Sequence, residues 1–281
     1  LLSARVLAGF FGGMIGAQVL SIVSDTFEYE RRGRAMGSLM TAFSLASVVG
    51  VPVGLWLASH FSWHAPFLAV GGLGLIITVL IALFIPPMTK HLQQLTPAPH
   101  PDGSGMEPRQ HPFRVLTDIL HTPNQLRALA LSSVLMVGHF SIIPYIAPSL
   151  VGNVNYSQDH IFLIYLVGGL ATIFTAPLVG RLADQRGKYP VFVLFALLSL
   201  IPVWLITHLW PTPLWAVLCI SGLFFIFTNG RMIPMQAMVS SVVPPQQRGG
   251  FMSINSSVQQ LASGLAATLG GAIIIKTPDG H

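Results

Sequence analysis

Long apolar runs separated by short polar segments make up most of this 281-residue chain. Each run is continuous rather than alternating with polar residues, which excludes the strands of a membrane β-barrel. Each is also long enough to cross about 30 Å of hydrocarbon as an α-helix. The sequence therefore predicts about eight transmembrane helices. They lie near residues 3–24, 36–59, 65–86, 126–151, 160–180, 189–209, 213–238 and 251–275.

Lys and Arg residues lie in every second loop between these runs. The loop after the first run contains three arginines and the loop at 180–188 contains three cations, whereas the loops at 60–64, 152–159 and 207–212 contain no Lys or Arg. Cytoplasmic loops of membrane proteins carry an excess of Lys and Arg. We therefore expect the basic loops on the cytoplasmic side of the membrane.

Composition narrows the class of protein further. Apolar residues make up 52% of the chain and charged residues only 8%, compared with about 25% charged residues in soluble domains. This indicates an integral, multi-pass protein of the cell (plasma or inner) membrane. The basic residues are spread over short loops rather than gathered on one face, so no nucleic-acid partner is expected.

The sequence contains little that favours catalysis. We find no Ser, His and Asp arrangement, no phosphate-binding loop and no cluster with metal-ligand spacing, so we predict no enzymatic activity, cofactor or metal. The single cysteine, Cys219, excludes an intrachain disulfide. Its place in an apolar run predicts a small, buried side chain.

Residues 87–124 differ from the rest of the chain. They are rich in Pro and His and have no apolar period before about Phe113, and such a segment cannot bury enough surface to order itself. We expect a cytoplasmic linker that ends in either a short interfacial helix or an irregular loop. It separates residues 1–86, three helices that form the C-terminal part of a first bundle, from residues 125–281, five helices of a second bundle.

An internal repeat supports this division. Residues 32–37 (RGRAMG) match residues 248–253 (RGGFMS), and Leu-Ala-Ser follows at the same distance, at 45–47 and again at 261–263. This pattern is typical of a six-helix unit repeated in one orientation. If each helix of the first unit corresponds to the helix six places later in the chain, the eight runs are helices four to eleven of twelve. We therefore expect the chain to be a fragment of a longer protein.

The polar segment at 180–188 (GRLADQRGK) lies between two apolar runs. Its glycines predict a tight turn and close helix approach, and one acid among three bases indicates a specific partner for Asp184. The pattern, G-x-L-a-D-r-x-G-r/k, resembles the signature loop of the major facilitator superfamily of secondary transporters. The matching residues are Gly180, Arg181, Asp184, Arg186, Gly187 and Lys188.

This resemblance implies an all-α integral membrane fold of two six-helix bundles related by a pseudo-two-fold axis, truncated here to about eight helices. In that plan the 180–188 loop lies beside the cytoplasmic start of the helix near residue 36. A helix start presents free amides and a partial positive charge. We expect Asp184 to dock there, hold the cytoplasmic side shut and stabilise the outward-open state; the alternative is a solvated loop charge.

A second resemblance involves Gly50, Pro52 and Gly54, within one apolar run. The proline removes a backbone hydrogen bond, and the glycines permit a bend and close helix contact. The segment resembles the antiporter motif G-P-x-x-G-G in a G-v-P-x-G form, with proline one place later. It implies the drug:proton antiporter or sugar-efflux-like branch, unless it is a packing kink without bearing on transport direction.

A third resemblance lies at the start of the chain. Leu2-x-x-Arg5-x-x-x-Gly9 is similar to the family's fourth-helix motif l-x-x-R-x-x-q-G, with Ala8 where the family favours Gln. The resemblance implies that Arg5 faces the central cavity and assists proton transfer. Alternatively, its guanidinium reaches the outer membrane interface.

Polar residues inside the runs are candidates for a transport cavity. Arg231, close to Asn229, is a charge within a span, which usually faces water or a partner if it does not reach the cytoplasmic interface. His139 suits proton coupling or is a satisfied buried histidine. Asn255 and Gln259 share one helix face and either bind a polar substrate or bond neighbouring helices.

Carboxylates occur only in loops or at helix ends, so the runs contain no acid to carry protons. If the protein is proton-coupled, we expect its proton-carrying acid on helices that the fragment lacks. The nine carboxylates are Asp25, Glu28, Glu30, Asp102, Glu107, Asp118, Asp159, Asp184 and Asp279.

The function implied by the resemblance is secondary active transport by alternating access, with proton-coupled efflux of a drug-like or sugar-like small molecule. Its expected partners are the small-molecule substrate, protons and the lipid bilayer, and we expect a monomer for the full-length protein. One alternative is a proton-coupled uptake symporter for a sugar, nucleoside or organic acid. Another, from a different class, is a membrane sensor or scaffold that does not transport.

Overall fold

The computed structural model describes residues 2–84, 119, 121–154, 156–157, 161–210 and 212–273. At residues 2, 4–8, 10, 13–14, 47, 51, 55 and 245–246 it describes the backbone alone. Within these ranges the chain forms nine α-helices and one short 3-10 helix. They are α1 (Leu2–Thr26), the 3-10 helix (Tyr29–Arg31), α2 (Arg32–His60), α3 (Ala65–Phe84), α4 (Pro123–Phe140), α5 (Ile143–Val154), α6 (Ile161–Arg186), α7 (Lys188–Thr207), α8 (Leu214–Val239) and α9 (Pro245–Ile273).

Six helical stretches among the described residues are long and apolar enough to cross a membrane, as in a multi-pass membrane protein. The predicted spans near 3–24 and 251–275 are helical as α1 and α9; that these two cross the bilayer stays a prediction. The six stretches are Tyr29–His60, Ala65–Phe84, Pro123–Val154, Ile161–Arg186, Lys188–Thr207 and Leu214–Val239.

The chain divides into two compact units, and the boundary falls inside α2. The first unit, Leu1–Val48 with Asp118–His281, contains a buried cluster in which Met36 of α2 packs with residues of α6, α7 and α8. A second buried cluster in this unit joins α5, α6, α7 and α8. Helix α8 therefore packs against both α6 and α7.

The second unit, Val49–Thr117, contains the end of α2 and all of α3. Helix α3 has no buried residue, and large apolar side chains such as Leu68 and Phe84 are exposed. Such a surface suits contact with lipid. Most of the predicted linker, up to residue 118, lies outside the described residues. The division into two bundles at this linker stays a prediction.

One predicted helix, near 126–151, is broken in the structure. Helix α4 ends at Phe140, where the amide and hydroxyl of Ser141 both donate to the Val137 carbonyl at 2.9 and 2.7 Å. Helix α5 begins at Ile143, after two intervening residues, with Pro144 in its first turn. Proline has no N–H to continue α4 and disfavours a helical conformation before it, so it starts a new helix instead.

The predicted polar turn at 180–188 is much shorter than expected. Helix α6 continues to Arg186 and α7 begins at Lys188, so that only Gly187 lies between them. Gly187 has a φ of 93°, which glycine adopts easily. The polar residues before it therefore occupy the last turns of a helix rather than a loop.

Cys219 is exposed, which contradicts the buried side chain predicted for it. Val217, Ser221 and Phe224 mark the buried face of α8. At about 100° per residue, Cys219 lies on the opposite side of the helix from Val217. An apolar run does not distinguish these two faces.

Candidate functional site

The carboxylate of Asp184 docks on the first turn of α2. Its Oδ1 accepts the N–H of Gly33 and its Oδ2 accepts the N–H of Arg34, both at 2.8 Å. These amides have no partner within their own helix, and the helix start carries a partial positive charge. The acid at the end of α6 therefore satisfies the start of α2 by hydrogen bonding and by charge.

Three glycines allow α2 and α6 to approach closely enough for this contact. A methyl group at Gly33 would lie 2.6 Å from both Asp184 Oδ1 and the Gly180 carbonyl oxygen. A methyl group at Gly37 would lie 2.5 Å from the carbonyl oxygen of Ala176, and one at Gly180 would strike the carbonyl of Gly33. Backbone thus meets backbone along this crossing.

Lys188 completes the contact from the start of α7. Its Nζ lies 3.1 Å from Asp184 Oδ1, donates to the carbonyl oxygen of Tyr29 at 2.5 Å, and sits 4.2 Å from the centre of the Tyr29 ring. The lysine side chain is only 5% exposed. A buried ammonium held by a carboxylate, a carbonyl and an aromatic face ties the α6–α7 turn to the 3-10 helix.

A second polar contact joins the start of α9 to the end of α1. Buried Arg248 donates through Nη1 to the carbonyl of Ser24 at 3.0 Å and to Asp25 Oδ1 at 2.5 Å. Its Nε donates to the carbonyl of Ser240, at the end of α8, at 3.1 Å. We call the Asp184 and Arg248 contacts together the cytoplasmic clasp, after the side of the membrane on which the charge pattern predicts them.

Sequence reasoning placed Asp25 and Arg248 in loops but missed their pairing. The internal repeat could have indicated a contact for Arg248, because it matches Arg248 with Arg32. In the structure the Nε of Arg32 also donates to a carbonyl at the end of the preceding helix, that of Phe27, at 3.0 Å. The two repeated arginines thus make the same local contact at equivalent helix starts.

The other residues of the signature segment do not join this contact in the same way. Arg181 and Arg186 are exposed on the last turns of α6.

The side chain of Arg5, in α1, lies outside the described residues, so its predicted place in the cavity stays a prediction.

The antiporter-like residues lie in the second unit, in the interior of α2. Gly50 and Pro52 are exposed, and a methyl group at Gly50 or Gly54 would meet no described atom within 4 Å. The close helix contact predicted at these glycines stays a prediction. Within the first unit, close contact is seen where Gly37 meets α6, because there a second helix backbone faces the glycine.

Several polar side-chain atoms of the candidate cavity residues have no hydrogen-bond partner among the described residues. Arg231 donates through Nη1 to Ser199 Oγ at 3.1 Å, and Asn229 donates to the carbonyl of Phe225 at 2.9 Å. Among the described residues no hydrogen-bond partner is found for Arg231 Nε, for His139 Nδ1, for either amide atom of Asn255, or for Gln259 Nε2. All these atoms are buried, and buried polar atoms are normally paired.

Within the described residues no group of three or more His, Cys, Asp or Glu side chains is placed to hold a metal ion.

Comparison with known proteins agrees with these features. The family model of the Major Facilitator Superfamily matches residues 1–267. The uncharacterized MFS-type transporter YbcL of Bacillus subtilis is 23% identical over 97% of this chain and 65% of its own length. A probable sugar efflux transporter of Helicobacter pylori (strain G27) is 23% identical, over 87% of this chain and 58% of its own length.

A further relative carries a different description. The transcription regulatory protein OpdE of Pseudomonas aeruginosa is 26% identical over 87% of this chain and 57% of its own length. The chain thus spans between 57% and 65% of the length of these three relatives.

Proposed function

Because the chain belongs to the Major Facilitator Superfamily, we propose that it forms part of a secondary transporter that works by alternating access, and that the cytoplasmic clasp holds its cytoplasmic side closed. The chain is an integral, multi-pass membrane protein. In alternating access, two groups of helices rock about a central site and open it to one side at a time. A contact that closes one side therefore stabilises the state open to the other.

The observation that carries this proposal is the docking of Asp184 on the Gly33 and Arg34 amides. It joins α6, from the predicted second bundle, to α2, from the predicted first bundle. The Arg248–Asp25 contact joins the same two groups through α9 and α1. Both contacts lie at helix ends that the Lys and Arg bias assigns to the cytoplasm.

The free energy of the Asp184 hydrogen bonds is comparable with the free-energy difference between two transporter states. Hydrogen bonds to charged groups each contribute about 1.5–3 kcal/mol, and two transporter states typically differ by only a few kcal/mol. Removing the Asp184 charge therefore changes the free-energy difference between the two states by enough to reverse which state predominates. A solvated loop charge would have no such effect, and the two amide contacts favour docking over that alternative.

We further propose that transport is proton-coupled efflux of a small molecule. The efflux direction is supported by the name of the Helicobacter pylori relative and by the Gly50, Pro52 and Gly54 pattern. Arg5, His139 and Arg231 are the proposed transport and proton-coupling residues. The buried Nδ1 of His139 lies next to the break between α4 and α5 and has no partner among the described residues. Discontinuous helices commonly form the binding sites of secondary transporters.

Inverted membrane vesicles with an acidified lumen test both coupling and direction. The protein is expressed from its own gene, and ethidium, lactose and gluconate are added in turn while a dye reports the pH gradient. Efflux by proton exchange predicts that at least one compound enters the lumen and releases protons, and that a protonophore abolishes both. If accumulation occurs only in right-side-out vesicles, the uptake symporter is correct instead.

One relative favours a second candidate function. The Pseudomonas aeruginosa protein is named a transcription regulatory protein, which favours a membrane sensor without transport. A sensor predicts that a compound binds the purified protein but shows no counterflow in proteoliposomes. Counterflow of any bound compound would exclude this candidate.

A further inference from the structure

Arg231 holds a guanidinium deep inside a predicted span. It lies eight residues before the end of α8 at Val239, and its Nη1 donates to Ser199 rather than pointing towards that end. Ser199 lies eleven residues after the start of α7 at Lys188, which is about 16 Å along the helix axis. The charge therefore lies inside the membrane-spanning stretches of α7 and α8 rather than at their ends.

Among the described residues, no acid forms an ion pair with Arg231. Of the described acids, Asp25 contacts Arg248, and Asp184 contacts Lys188 and the α2 amides. Glu28, just before the 3-10 helix, and Glu30, within it, are exposed. The remaining five acids lie in sequence outside the six membrane-spanning stretches. Arg231 thus meets one neutral hydroxyl, and its buried Nε has no partner among the described residues.

An uncompensated cation is costly there. A charged side chain at the bilayer centre costs about 2.5–3.5 kcal/mol even by the most lenient scale, and intramembrane charges usually pair or face a water-filled cavity. The Nε edge of a guanidinium is also the edge that binds a carboxylate or phosphate through two parallel N–H groups. In the structure the Nε of Arg231 has no partner among the described residues.

Other polar groups lie near the same helix seam. Ser132 of α4 contacts Met235 of α8 at 3.8 Å, which identifies the faces on which these helices meet. His139 lies two turns from Ser132 along α4, and Arg231 lies one turn from Met235 along α8, so helical periodicity places both residues on the faces that meet here. From its face of α8 the Arg231 side chain extends to Ser199 of α7.

Helix α9 brings further polar groups to the side of α4. It packs against α4, and the hydroxyl of Tyr145 in α5 donates to the carbonyl of Ala267. The Tyr145 ring faces Gly270, and Asn255 and Gln259 share the helical stripe of that glycine. Asn255 is only 1% exposed, yet both of its amide atoms lack a partner in the described chain.

We infer that the transported molecule is a small organic anion whose carboxylate or phosphate group binds Arg231 at the α4–α8 seam, with His139, Asn255 and Gln259 contacting its other polar groups. This inference rests on the proposed transport function and specifies its substrate class. It distinguishes acids from the neutral sugars and cationic drugs that the transport proposal alone leaves open.

Binding of matched acidic and neutral probes tests this inference. The purified protein in detergent is titrated with gluconate against glucose, with benzoate against benzamide, and with inorganic phosphate, while its melting temperature is followed. We expect at least one acid to stabilise the protein more than its neutral counterpart. Arg231→Gln should weaken that apparent affinity by about tenfold or more, as for a lost charge-assisted bond.

Two further variants separate recognition from folding. Arg231→Lys keeps the charge but not the planar edge and should weaken acid binding by a smaller factor, while Arg186→Gln, an exposed cation at the end of α6, should leave binding unchanged. The inference is wrong if no acid exceeds its neutral counterpart in the unsubstituted protein. It is equally wrong if Arg231→Gln binds the acid as well as the unsubstituted protein does.

The transport proposal and this inference fail separately. Binding is measured without a gradient, so acid binding that depends on Arg231 without any transport would contradict the transport proposal and support the site. Transport of a neutral compound that is unchanged in Arg231→Gln would support the transport proposal and contradict the site. In that case the counter-ion of Arg231 would come from protein rather than from substrate.

Discussion

At the scale of single residues, Asp184 and Lys188 act as a pair within the clasp. The carboxylate satisfies two amides of α2, while the ammonium contacts both the carboxylate and the Tyr29 carbonyl. Sequence alone indicated a partner for Asp184, because one acid stood among three bases. The signature segment included Lys188, but it did not indicate that the ammonium contacts Asp184 and Tyr29, since a cation at the end of such a segment is equally consistent with an exposed side chain.

We predict that Lys188→Gln lowers the melting temperature of the purified protein. The substitution removes a buried ion pair and a charge-assisted bond, which corresponds to about 1–3 kcal/mol in the free energy of unfolding. Arg186→Gln removes the same charge from an exposed site two residues earlier and should change stability by less than about 0.5 kcal/mol. Equal effects of the two substitutions would show that the Lys188 contacts contribute nothing to stability.

At the scale of helices, the crossing of α2 and α6 determines whether the clasp can form. Backbone meets backbone at this crossing because Gly33, Gly37 and Gly180 have no side chains. The internal repeat drew attention to the first two positions, and the signature segment contained the third. The close approach predicted at the glycines of the signature segment is seen at Gly180, but the sequence could not show that its partner is Gly33, or that Gly37 faces α6.

Opposite effects on stability are expected for two Gly→Ala substitutions. In Gly37→Ala the new methyl group meets the backbone of α6, which cannot move aside, and overpacking of this kind costs about 1–3 kcal/mol. A methyl group at Gly264, in α9, would meet no described atom within 4 Å. Gly264→Ala should therefore stabilise the helix by up to about 1 kcal/mol. Thermal melting of both variants checks this, and a stabilising Gly37→Ala would contradict the close crossing.

Most helices were predictable from sequence, but their ends and breaks were less so. The apolar runs placed α3, α7 and α8 within a few residues, because hydrophobic length alone defines a membrane span. The polar end of α6 was taken for a turn, since polar residues can extend a helix beyond the hydrocarbon. The α4–α5 break was missed because a proline within an apolar run either kinks a helix or starts a new one.

At the scale of the whole molecule, the two contacts of the clasp should act together. Each joins a helix of the predicted first bundle to one of the predicted second bundle, and each lies on the predicted cytoplasmic side. The pairing of Asp25 with Arg248 was beyond sequence reasoning, because the two residues are far apart along the chain. Only the repeat indicated that Arg248 occupies a special position.

Unequal effects are expected for the two partners of the second contact. Arg248 is buried and donates to two carbonyls as well as to Asp25, whereas the Asp25 side chain is 42% exposed. Arg248→Gln should therefore lower the melting temperature more than Asp25→Asn does, because it leaves more buried groups unpaired. If Asp25→Asn has the larger effect, the carbonyl contacts of Arg248 are unimportant.

The central claim is that Asp184 holds the cytoplasmic side closed, and cysteine labelling tests it most directly. In a Cys219→Ser background, Ser24→Cys places a thiol at a position at the end of α1 that is 1% exposed, and a membrane-impermeant maleimide is added from the cytoplasmic side. We expect Asp184→Asn to raise the labelling rate by about tenfold or more, since about 1.4 kcal/mol of lost docking energy shifts the population by that factor. Glu28→Gln, which removes an exposed acid nearby, serves as the control. A labelling rate in Asp184→Asn equal to that of the control would contradict the account.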